Sequence, residues 1–128
     1  MPEAHALEYV VVRVVPRPER EEFINAGVIL FCRTLRFLDC RISLDEAWLL
    51  ALAPDVDLDA VCAHLELIPR ICAGGPEAGE IGAMDQPERF RWLASPRSTV
   101  VQVSSVHGGL CHDPQAALDD LYAKMVAR

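Results

Sequence analysis

The stretch SPRSTVVQVSSVHGGL, residues 95–110, carries polar residues at both ends of a β-rich run. Arg97, Ser98 and Thr99 stand in front of it. An arginine donates in a fork suited to a carboxylate or phosphate, and neighbouring hydroxyls and amides add donors. His107 stands behind it, before two glycines, and is of the type that serves as a general base. A second group lies in EREEFINAG, where Glu22 and Asn25 could orient a ligand or act on a proton.

Each group also has a plainer reading. Arg97 can bond the exposed carbonyls at the end of a preceding helix, where the helix dipole favours a cation. Glu22 can be solvated, and Asn25 can form a turn. His107, Cys111 and His112 are zinc-ligand types, but their spacing is not a strong one and a fourth ligand is missing. No metal or cofactor is expected. The chain has no G-x-x-x-x-G-K-[ST], no G-x-G-x-x-G and no G-x-S-x-G, so the familiar nucleotide-binding and hydrolase signatures are absent.

The elements that must position these residues follow from patterning. EYVVVRVV, residues 8–15, is β-branched and ends at Pro16. Its alternation puts Val10, Val12 and Val14 on a core face and Arg13 on the other, toward water or a polar groove. PRPEREEF reads as a polar connection with room for one helical turn. Strands over about 26–33 and 36–42 follow, joined by a tight turn near Arg33-Thr34. Three successive strands with short links predict a meander. Gly27 reads as a close backbone approach or a bulge.

Ser43 and Glu46 have the spacing of a capping box, which predicts a helix over 44–53 ended by Pro54. Asp57 caps a second helix with Leu58, Val61, Cys62, Leu65 and Ile68 on one stripe, kinked or ended at Pro69. Residues 73–83 hold four of the seven glycines and read as a mobile loop. Asp85 starts a helix carrying Phe90, Trp92 and Leu93, and Ser95-Pro96 stops it. Thr99 to Val103 is a fourth strand. Asp113-Pro114 opens the last helix. The expected fold is α+β, one domain over 1–128, with a four-stranded antiparallel or mixed sheet and helices mainly on one face. If the strand between Arg97 and His107 is about seven residues long, they are ~20 Å apart unless the glycines fold His107 back.

At 128 residues, 52% hydrophobic and 24% charged, the composition is that of an ordinary globular domain. The net charge of −7 argues against general nucleic-acid binding. No apolar run approaches the ~20 residues that span a bilayer, so no membrane role and a cytoplasmic location are expected. The five cysteines are odd in number and form no CxxC, which predicts buried free thiols.

EYVVVRVVPRPEREEFINAGVILFC, RFRWLASPRSTVVQVSSVHGGLCHDP and the closing helix together resemble the bacterial family called domain of unknown function 3037. The resemblance implies a bacterial cytoplasmic protein whose gene often neighbours that of a HipA-like kinase, and so a kinase partner. It carries no established activity onto any residue. Two readings therefore stand. One is a non-enzymatic binding or accessory module, homodimeric or paired with the kinase. The other is a small enzyme or anion-binding protein using Arg13, Glu22, Asn25, Arg97 and His107, which must then converge in one pocket.

Overall fold

The computed structural model describes residues 3–97 and 99–127. Strand β1, His5–Arg17, is the spine of an antiparallel sheet. β2, Glu22–Cys32, pairs along one edge of it and β3, Phe37–Ile42, pairs with β2. The other edge of β1 is shared end to end by two short strands. β4, Val101–Val103, covers Val12 to Val14, and β5, His107–Cys111, covers His5 to Tyr9. The α+β class and the meander start agree with the expectation from sequence. The sheet has five strands rather than four, because His107-Gly108-Gly109 pairs with β1 instead of turning.

Ser104 makes that shared edge continuous. Its backbone N–H donates to Val11 O at 2.9 Å, and its buried hydroxyl accepts from Val11 N at 2.9 Å. The hydroxyl also donates to Ser105 O at 2.9 Å. One side chain thus takes over a ladder bond where the chain steps from β4 to β5.

Two irregularities bend the β1–β2 pair. Val12 faces Gly27 while Arg13 faces Asn25, so Ala26 is an extra residue on β2. The Ala26 carbonyl is used elsewhere, accepting from Ser43 N at 2.7 Å. Gly27 sits where β2 and β3 approach closely: a Cβ there would stand 2.7 Å from Arg41 O and collide with Ile42 Cδ1. The second irregularity, between Val14 and Arg17, falls at Pro16, which has no N–H to give to the ladder.

The helices on the first face are α1, Glu46–Leu52, α2, Leu58–Ala73, and α4, Gln86–Ala94. They bury Leu49, Val61, Leu65, Ile68, Phe90 and Leu93 against Val10, Val12, Val14, Ile29 and Phe31. The valine face of β1 therefore meets the main core, as its alternation predicts. α1 is capped by Asp45, whose carboxylate accepts from Trp48 N at 3.0 Å, and not by Ser43, whose N–H serves the sheet. Asp57 and Asp85 cap α2 and α4 as expected.

α2 runs through Pro69 to Ala73. The proline is exposed while Ile68, Ile71 and Cys72 around it are buried, so core packing outweighs the missing hydrogen bond. The glycine-rich 73–83 stretch is folded on itself, with the short α3 at Gly79–Gly82 and a bond from Gly75 N to Gly82 O at 3.0 Å. The last helix, α5, Pro114–Met125, is capped by Asp113 and covers the opposite face. There Leu118 packs with Leu7, Val28, Leu30, Cys32 and Cys111. Among the described residues no helix is long and apolar enough to cross a membrane.

Candidate functional site

The sheet separates the sequence candidates. Arg97 lies on the main-core side: its guanidinium carbon is 4.0 Å from the centroid of the Trp92 ring, and Nη2 donates to Trp92 O at 2.7 Å. Ser95 Oγ donates to Arg91 O at 2.8 Å. Between them the two side chains donate to carbonyls in the last turn of α4, where Trp92 O also accepts from Ser95 N at 3.4 Å. Thr99 donates to Val101 O at 2.7 Å and so closes its own turn. Ser98 lies outside the described residues.

His107 belongs to the other face. It pairs with Tyr9 in the β1–β5 register and stacks on it, ring centroids 5.2 Å apart. Trp92 packs against the first core and Tyr9 against the second, so Arg97 and His107 do not share a pocket. Cys111 lies four residues along the same strand, ~13 Å from His107. His112 Nδ1 is 3.1 Å from Glu3 O. Among the described residues no three His, Cys, Asp or Glu side chains gather as a metal site.

Arg13 and Asn25 do come together, as direct partners across β1 and β2. Arg13 lies over the half-exposed Phe23 ring, 4.3 Å from guanidinium carbon to centroid. Asn25 Nδ2 donates to Met125 O near the end of α5, at 3.0 Å. Arg13 Nε and Asn25 Oδ1 are buried without a partner among the described residues. Asn25 lines two adjoining clefts of 400 and 240 Å³, with Asp45, Tyr122 and Val126 around the larger and Phe23 and Met125 around the smaller. Glu22 is turned to Arg20, with Oε1 2.6 Å from Nε.

Three of the thiols, Cys62, Cys72 and Cys111, are held in the protonated form. Cys72 is pushed far up by its hydrogen bond with the Cys40 thiol and by burial. Burial, then Glu46, raises Cys62, and burial, then Cys32, raises Cys111. A reactive cysteine needs the opposite shift. His64 on α2 is held below the ordinary histidine range by burial and by the neighbouring Arg97 cation, which favours its neutral form.

Sequence reasoning passed over the free outer edge of β5 and the groove beside it. Among the described residues β5 pairs only with β1, and Leu110 on it is 73% exposed. A cavity of 480 Å³ opens between α4 and the sheet, lined by Glu8, Phe31, Arg33, Phe90, Arg91 and Val106 among others. A second, of 400 Å³, continues it through Arg33 and Pro87 to Arg36 and Asp85. The one available signal was Val106 and Leu110, two apolar residues flanking glycines in a stretch with no charge of its own.

No curated protein and no solved structure matches the chain. The family model described as protein of unknown function, DUF3037, matches residues 9–126, from the middle of β1 to just past α5. The chain belongs to the DUF3037 family.

Proposed function

We propose that this chain is a non-enzymatic binding module that engages a HipA-like kinase partner through the outer edge of β5. The observation that carries the reading is that edge itself. A strand with one unpaired side offers a row of backbone donors and acceptors to an incoming strand. Edge strands are commonly guarded by lysines, prolines or bulges, and His107–Cys111 has none of these. Gly108 and Gly109 leave the approach clear, and Leu110 supplies exposed apolar surface. The kinase identity rests on the family resemblance drawn from the sequence. The scatter of Arg97, Thr99 and His107 favours a binding surface over a convergent catalytic pocket.

The test is co-expression with the kinase-like protein, followed by capture on this chain. Leu110→Glu, which puts a charge on the edge without touching the core, is expected to abolish capture. Arg97→Ala is expected to retain it. Equal capture by wild type and Leu110→Glu would remove the edge from the proposal. A homodimer formed by two β5 strands is the competing arrangement, and sedimentation of the chain alone separates the two.

A further inference from the structure

We infer that the groove beneath α4 is a binding site for a small organic anion, a carboxylate or phosphate group carried on an apolar body. The site is separate from the outer edge of β5, and neither depends on the other.

The cations of the groove are uncommitted. Among the described residues, Arg33, Arg36, Arg70 and Arg91 hold no ion pair, side-chain hydrogen bond or ring contact, whereas the other arginines are each engaged. Arg33, Arg36 and Arg91 line the two joined cavities of 480 and 400 Å³, in a chain whose net charge is −7. The acidic residues on the same lining are Glu8 and Asp85, and the Asp85 carboxylate already accepts from Glu88 N at 2.9 Å as the α4 cap. Glu8 alone therefore stands against three guanidinium groups, the side chains best suited to grip carboxylate or phosphate oxygens.

The turn that carries two of these cations is fixed in place. Arg36 has φ +52°, a left-handed conformation that bulky residues rarely adopt. Its N–H donates to Arg33 O at 3.1 Å, and its carbonyl accepts from Gln86 Nε2 at 2.9 Å. The second bond ties the β2–β3 turn to the first residue of α4. The Arg36 side chain is exposed and unpartnered, so packing does not account for an arginine at that strained position, and a bound anion does. A cationic turn already held against a helix needs little ordering when a ligand arrives.

The body of the ligand lies under α4. Phe31 and Phe90, both buried, stack with centroids 5.1 Å apart and form the floor of the larger cavity. Ala94, Pro96 and the 46% exposed Val106 line it as well. Its 480 Å³ is the size of a small-molecule site. Arg33 lines both cavities, so one molecule can bring its anionic group to Arg33 and rest its apolar part on this lining. A free phosphate would leave the apolar surface unused, and an uncharged apolar molecule would leave the cations unused.

The experiment titrates three probes into the intact chain and follows its amide chemical shifts: naphthoate, the cation naphthylmethylammonium, and inorganic phosphate. Naphthoate is expected to bind roughly tenfold or more tightly than either of the others, shifting the amides of Arg33, Arg91 and Val106. Arg33→Gln with Arg91→Gln should remove that preference. Both arginines are exposed, and circular dichroism checks that the double variant is folded. Leu110→Glu, which charges the β5 edge, should still bind naphthoate, and this separates the site from the surface proposed for the kinase-like partner. Equal affinity for the anion and the cation, phosphate binding as tightly as naphthoate, shifts centred elsewhere in the chain, an unaffected double variant, or loss of naphthoate binding in Leu110→Glu would each overturn the inference. None of these results bears on capture of the partner through β5, which its own test decides.

Discussion

The Arg97 guanidinium carbon lies over the indole of Trp92, 4.0 Å from its centroid, while Nη2 donates to the carbonyl of the same residue at 2.7 Å. One residue thus supplies both the ring and the acceptor, and the arginine closes the end of α4 against the core. Arg97→Ala should cost about 1–2 kcal/mol in urea unfolding, from a charge-assisted hydrogen bond and a partly desolvated cation–π contact. Arg97→Lys should recover only part of it, since a lysine cannot stack as a plane. A loss of partner capture with no loss of stability would reverse this assignment.

Ser104 is the hinge of the divided sheet edge. Ser104→Ala leaves the Val11 N–H without its side-chain acceptor in the interior, an expected loss of about 1–3 kcal/mol. Hydrogen exchange should locate the effect, with the Val11 amide losing protection more than those of Ile29 or Leu30. Uniform loss across β1 and β2 would argue against a local role.

Gly27 and Gly108 should respond in opposite ways to the same methyl group. At Gly27 a Cβ meets the backbone carbonyl of Arg41 and the Ile42 side chain, and backbone has little room to yield. Gly27→Ala should therefore destabilise by about 1–3 kcal/mol or more, as overpacking does. At Gly108 the nearest atom to a Cβ is Leu7 O, at 3.9 Å, and Gly108→Ala should stay within about 0.5 kcal/mol of wild type. Thermal melts of the two variants make the comparison.

His64 links stability to pH. Its folded-state pKa is depressed, by burial first and by Arg97 second, so the unfolded chain takes up its proton at a higher pH than the folded one. Stability is then full above the unfolded value, about 6.5, and falls as pH drops from there toward the depressed folded value. Comparing urea midpoints between pH 7.5 and 5 for wild type and His64→Asn isolates the effect, and the variant should show the shallower decline. Parallel curves would show that other groups set it.

Most of the frame was legible in local pattern. The alternation in EYVVVRVV identified β1 and its core face, and Asp57, Asp85 and Asp113 announced their helices. What failed was set by distant partners. HGGLC has poor strand propensity and becomes β5 only because β1 offers an edge about a hundred positions away. Ser43 has the spacing of a cap but spends its N–H on Ala26, so Asp45 takes the role. β2 starts at Glu22 because the Ala26 bulge keeps Asn25 in register with Arg13, and a bulge leaves no mark in alternation. Arg33, Arg36 and Arg91 gather across a helix and a hairpin. No window of sequence contains that groove.

The sharing of one edge of β1 by β4 and β5 also governs how the chain must assemble. β1, β2 and β3 can pair as soon as they are synthesised, since their links are short. The other edge of β1, with Val11 and the valine face beside it, stays open until residues 101–111 arrive. Pairings across so long a separation are slow to close, and an open β-branched edge is prone to mispair while it waits. The early meander should therefore be the aggregation-prone species in refolding. The step that ends this exposure is the docking of the polypeptide that carries Ser104 and the free strand after it.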